Sequence, residues 1–187
     1  MPLPSPNCSG IEDEVCCEAL WTMGNYLLDM VWEPLSTCLR GGTCYGPGLT
    51  KYVAFSDAST LCCDTLSVSL DGVGFTTGSA AALQSGIQNT RIGLTTQWRI
   101  RLLESCYPML DDAGTPTPAD YNFVNRHLYA HGEMIFRVLQ QAHERKALAP
   151  GGCASSALRF FRPIPVEGDC VGWEYQVEVV TDWAWVM

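Results

Sequence analysis

The chain has 187 residues, 47% of them hydrophobic and 17% charged, with a net charge of −9. That size and balance suit a folded domain with a true core and exclude a disordered tail. The acidic balance excludes a protein whose main task is gripping phosphates, which rests on Lys and Arg, though an acidic wall beside passing DNA would avoid trapping it.

The low charged fraction points to a surface partly covered by other subunits. No apolar run approaches the roughly 18 to 20 residues that cross a bilayer. The opening "MPLPSPNCSG" lacks the basic start and apolar stretch of a secretion signal. The expectation is therefore a chain made and folded in a cytoplasm. Residues 1–10 read as an extended, Pro-rich arm and residues 11–187 as a single domain. In that compartment the 10 cysteines, vicinal pairs Cys16-Cys17 and Cys62-Cys63 included, are expected to be reduced small hydrophobes. A disulfide framework or a metal site are the alternatives.

Residues 11–33 predict the first helix, capped by Ser9, with acids in its first turn and Pro34 closing it. Val15, Ala19, Met23, Tyr26, Leu27 and Met30 form its apolar stripe, and Gly24 allows a neighbour to approach closely. "CLRGGTCYGPGL" is turn chemistry. Short strands follow at 51–57 and 65–71, and the Gly/Ser/Thr/Ala composition of 72–89 predicts a loop or hairpin tip.

"RIGLTTQWRIRLLESCYP" then alternates for a dozen positions. Ile92, Leu94, Trp98, Ile100 and Leu102 point one way; Arg91, Gln97, Arg99 and Arg101 point the other. A strand of that length is expected to project or to meet a neighbouring molecule.

A second helix starts near Thr117 or Asp120, buries Tyr121, Val124, Leu128, Ile135, Leu139 and Ala142, and ends in the basic "HERK". "SALRFFRPIPV" and "CVGWEYQVEVVTDWAWV" predict the last strands. Strands and helices do not alternate one by one. The fold class expected is α+β: a mixed, largely antiparallel sheet, two helices packed on one face, and a long projecting hairpin.

Catalytic motifs are weak. His127 and His131 sit four apart on the second helix near Glu133, but not in the arrangement of a zinc protease, and read as the polar rim of a packed face. His143 reads as a solvated helix end. "GVGFTTG" follows a half-exposed strand and leads into no helix, so it is not a phosphate loop. The cysteines lack the close pairs of a zinc ribbon. Two features remain. Arg99 and Arg101, beside Trp98, offer planar pairing with the acids of an acidic neighbour. Trp183, Trp185 and Met187 are costly to leave in water and anchor interfaces.

Several segments, in this order, resemble the tail terminator proteins of long-tailed phages that infect actinobacteria. They are the leading helix, "KYVAFSDASTLCCDTLSVSLDGV", "QWRIRLLESCYPMLDD", "VNRHLYAHGEMIFRVLQQ" and "CVGWEYQVEVV". The likeness spans most of residues 11 to 182 and lies in strand character and small motifs, an aromatic-Val before Cys-Asp and a Cys-Tyr-Pro after an Arg-bearing strand. The Pro-rich arm and "WAWVM" have no counterpart in it.

The resemblance implies a ring, usually of six subunits, that caps the tail tube, stops its growth and joins it to the head-completion or stopper protein. It implies a virion protein assembled in the host cytoplasm, without enzyme activity or cofactor, around a lumen through which DNA passes without specific binding. A stopper, adaptor or tube subunit is the near alternative. A cytosolic thiol or zinc enzyme and an exported, disulfide-bonded binding module are the distant ones.

Overall fold

The computed structural model describes residues 14–38, 49–54, 64–77, 92–105, 115–167 and 170–182. The elements are α1 (Glu14–Cys38), β1 (Thr50–Ala54), β2 (Thr65–Thr77), β3 (Ile92–Ser105), α2 (Pro118–Glu144), β4 (Ser155–Glu167) and β5 (Cys170–Asp182). The strands form one five-stranded sheet in the order β1-β2-β3-β5-β4. β1 runs parallel to β2, and every other pairing is antiparallel. The sheet is thus mixed and largely antiparallel, as its alternating segments predict.

Period-two alternation gives this sheet two unlike faces. Leu66, Val68, Trp98, Ile100, Leu102, Trp173, Tyr175, Val177 and Val179 are buried in a common core with Met23, Leu27, Val31 and Leu35 of α1 and Ile135 and Leu139 of α2. Both helices therefore lie on the same face. α1 rests against β1 and β2, and α2 against β4 and β5. Gly24 is where α1 comes closest: a Cβ there would stand 2.7 Å from Val53 and 3.1 Å from the Trp98 ring. The opposite face carries Ser67, Ser69, Arg99, Arg101, Glu174, Gln176 and Glu178.

Local chemistry explains most boundaries. Thr117 and Asp120 both serve the start of α2: the Thr117 side chain accepts from the Asp120 N–H while the Asp120 carboxylate accepts from the Thr117 N–H. This capping box holds the Asp120 carboxyl below its ordinary pKa. At the other end Lys146 adopts φ 56° and the chain turns back to pair β4 with β5.

Three expectations need correction. α1 does not stop at Pro34 but runs to Cys38; the hydroxyls of Ser36 and Thr37 both donate to the Glu33 carbonyl in this last turn. The Ser9 cap lies outside the described residues. β2 continues through the glycines to Thr77, because an irregularity between Leu70 and Gly72 resets its pairing with β3. Residues 78–91, where the tip of the expected projecting hairpin falls, lie outside the described residues, and β3 itself does not project. It is the central strand, paired with β2 from Ile92 to Leu103 and with β5 from Gly93 to Ser105.

The exposed edges are β1 and β4. β1 is short, as edge strands often are. β4 is 13 residues long and contains Pro163 and Pro165. A proline has no N–H to offer a further strand.

Candidate assembly surface

On the polar face, the arginines expected to meet a neighbour's acids are paired within their own chain. Arg99 Nη2 lies 2.8 Å from the Asp71 carboxylate, with side chains 18% and 19% exposed. Arg101 bonds Glu174 from one side and Arg162 from the other, the latter at 2.6 Å. Glu174 is itself buried, so its charge is shared between two guanidinium groups rather than with water. Arg159 clasps Glu178, and Gln176 reaches Asp71. Arg101, Arg162, Glu174, Pro163, Ile164 and Pro165 line a shallow cavity of about 390 Å³.

Trp98 is not part of any outer surface. It is 1% exposed, faces α1, and donates its indole N–H to Thr96 Oγ1 at 2.9 Å. As an interface residue it is corrected to core, for the reason its own alternation gives: it shares the face of Ile100 and Leu102. Trp183, Trp185 and Met187 lie outside the described residues.

The helix face holds a polar pocket within its core. Glu104 is fully buried, and the two oxygens of its carboxylate lie 3.0 and 3.1 Å from His131 Nδ1. His131 is thus not a polar rim but an interior partner. His127 instead lies with its Nδ1 3.1 Å from the Phe123 carbonyl. His143 is half-buried rather than solvated and meets Ser156 Oγ at 2.7 Å. Glu133 pairs with Arg137 on the exposed side of α2. Among the described residues no cluster of His, Cys, Asp and Glu is arranged to hold a metal.

β5 pins α2 by two further bonds. Trp173 Nε1 donates to the Leu128 carbonyl at 2.7 Å, and Tyr175 Oη donates to the Gly132 carbonyl at 2.8 Å. Gly132 permits this approach, since a Cβ there would lie 2.6 Å from the Trp173 indole. Burial, helped by the negative Glu104, raises the Tyr175 pKa well above its ordinary value.

Cys153 is a free, buried thiol, as the compartment argument expects, but Cys170 is disulfide-bonded. The expectation of uniformly reduced cysteines is therefore overturned at Cys170.

One feature is missing from the sequence reading. Tyr129, Trp173, Phe161 and Phe136 form a continuous aromatic strip across α2, β5 and β4. Their ring centroids are separated in turn by 5.6, 4.6 and 5.4 Å. Tyr129 is 66% exposed and Phe161 39% exposed. The available signal was Tyr129 lying off the apolar stripe of its helix, and the adjacent Phe160-Phe161, which cannot both face inward on a regular strand.

No family model matches the chain, and no curated protein is similar to it. No helix among the described residues is long and apolar enough to cross a membrane.

Proposed function

We propose that this protein is a structural subunit of a phage virion, a tail terminator whose copies close into a ring, with six the expected number. The ring ends the tail tube and joins it to the neck. It works without catalysis or cofactor, and DNA passes through its lumen without specific binding.

The observation that carries this reading is the link between the segments on which the resemblance rests. Asp64, which ends the Cys-Cys-Asp motif, accepts hydrogen bonds from both the N–H and the hydroxyl of Ser105, which precedes Cys-Tyr-Pro. Motifs 41 residues apart thus meet at one end of the sheet. This contact joins the borders of two of the segments on which the resemblance rests. The exposed Tyr129 and Phe161 add apolar surface of the kind that subunit contacts cover.

Electron microscopy of purified particles, with the chain located by antibody or density, tests the reading. Rings at the tube end near the head are expected. A chain that is absent from particles and monomeric at every concentration, even with tube ends supplied, would overturn it. Density in a neck layer or along the tube would move the assignment to a stopper, adaptor or tube subunit.

The disulfide at Cys170 favours a second reading, an exported disulfide-bonded binding module. Thiol counting on the denatured protein separates the two: ten reactive thiols remove the module, whereas several closed pairs together with a monomeric state support it.

A further inference from the structure

We propose that the β4 edge of one copy meets the α1–β1 edge of the next, with Arg162 of the first paired to Glu33 of the second. This rests on the ring-subunit reading and names a contact that joins neighbours in the ring.

Arg162 is held yet open. Its Nε and Nη2 donate to one Glu174 oxygen at 3.0 and 2.6 Å, and its guanidinium carbon lies 4.8 Å from the centre of the Phe160 ring. Its side chain is nonetheless 62% exposed. A guanidinium carries more N–H donors than these two bonds use, so Arg162 keeps donors for an outside acceptor. Because its orientation is already fixed, little freedom is lost when that acceptor arrives. Pro163, Ile164 and Pro165 border the cavity beside it, which gives an incoming acidic side chain apolar walls as well as a cation.

Charge is unevenly spread over the chain. Near this edge Arg99, Arg101, Arg159 and Arg162 outnumber Asp71, Glu174 and Glu178, with which they pair. The whole chain carries −9, so its acidic surplus lies elsewhere. Copies that repel one another overall approach at least cost where this basic edge faces acids.

One such place lies at the other end of the sheet. β1 and β4 are its two edges, and α1 rests against β1 and β2. Lys51 of β1 bonds Asp29 of α1 at 2.7 Å and stands 5.5 Å from the centre of the Trp32 ring. That stretch of helix is thereby fixed beside the β1 edge. Glu33 follows one turn after Asp29 and is exposed. Its backbone carbonyl is engaged by Ser36 and Thr37, while its carboxylate has no partner among the described residues.

A basic edge and an acidic edge at opposite ends of one sheet make the contact head-to-tail, the type that generates rings when its rotation closes. The prolines of β4 withdraw two backbone donors from its edge, which favours a side-chain contact there over strand pairing.

The test is a charge swap in the full chain, read by sedimentation of the protein alone and with tube ends supplied. Glu33 lies on an exposed helix turn, so Glu33→Arg leaves the fold intact, which circular dichroism verifies. Glu33→Arg and Arg162→Glu are each expected to weaken self-association at least about tenfold. Both changes in one chain are expected to restore it. If Arg162→Glu, set beside Glu174, does not fold, Arg162→Ala and Glu33→Ala form a double-mutant cycle, in which the second change is expected to cost nothing once the first is made. Association that neither single change weakens, a swap that fails to restore it, additive losses in the cycle, or a native chain that never self-associates overturns the proposal.

Microscopy separates this contact from the ring itself. Rings that persist in the Glu33→Arg variant overturn the contact and leave the ring reading standing. Association restored by the swap but without rings, in particles or at tube ends, upholds the contact and removes that reading.

Discussion

Asp64 holds Ser105 by two hydrogen bonds, one to the backbone N–H at 3.0 Å and one to the hydroxyl, while its own carbonyl accepts the N–H of Thr50. One residue thereby ties the start of β1, the start of β2 and the end of β3. It does so from a left-handed backbone conformation, φ 58°, which Asp and Asn tolerate better than other side chains. Asp64→Asn should cost about 1 kcal/mol and Asp64→Ala about 2 to 3, since the latter loses both hydrogen bonds and strains the backbone. Urea denaturation of both variants reads this order. Equal stability of Asp64→Ala and the native chain would remove the clamp.

Gly132→Ala sets two effects against each other. Helix propensity favours Ala by about 1 kcal/mol. Against it, the new methyl group would stand 2.6 Å from the Trp173 ring and push the indole N–H away from Leu128. Overpacking and the lost bond should win, for a net destabilisation of about 1 to 3 kcal/mol. A changed Trp fluorescence maximum is expected with it.

Removing one partner of the Glu104–His131 pair takes their shared bond from the other within the core. Glu104→Ala is expected to cost about 3 to 5 kcal/mol. Glu104→Leu combined with His131→Leu should cost less than the two single changes added together. A double-mutant cycle by thermal or chemical denaturation measures that coupling, and simple additivity would show that the pair does not act as one.

Glu174 and Arg162 should differ despite sharing a bond. Glu174 is 3% exposed and Arg162 62% exposed in their side chains. Glu174→Ala takes a buried acceptor from Arg101 as well as from Arg162 and should cost about 3 kcal/mol or more. Arg162→Ala removes a largely solvated partner and should cost less than about 1. Comparable losses for both would refute this division.

Tyr175 makes the molecule sensitive to alkali. Its pKa is raised on folding, so the native state keeps a proton that the unfolded state releases above about pH 10. Stability from this group is complete below that pH and falls as pH rises beyond it. Absorbance at 295 nm should show Tyr175 silent in the native protein until the chain unfolds. Tyr175→Phe should flatten the alkaline loss, though it gives up the bond to Gly132.

Element order, the two faces of the sheet and the face taken by both helices were legible, because periods of 2 and 3.6 are local properties. The capping residues of α2 were legible for the same reason. Partners across the sheet were not. Nothing near position 64 announces Ser105, and nothing near 132 announces Trp173. The centrality of β3 depends on which strands flank it, and its length alone suggested an arm. Pro34 misled because a proline inside a helix can kink it without ending it. At the assembly surface, arginine spacing was readable, but not that Asp71 and Glu174 of the same chain had already claimed those charges.

The prolines of β4 carry a consequence for how copies can combine. With Pro163 and Pro165 in its outermost strand, that edge lacks two of the donors through which a second sheet could be zipped on, and then a third. Endless side-by-side ribbons are discouraged by the backbone itself. Contacts made along that edge are left mainly to side chains.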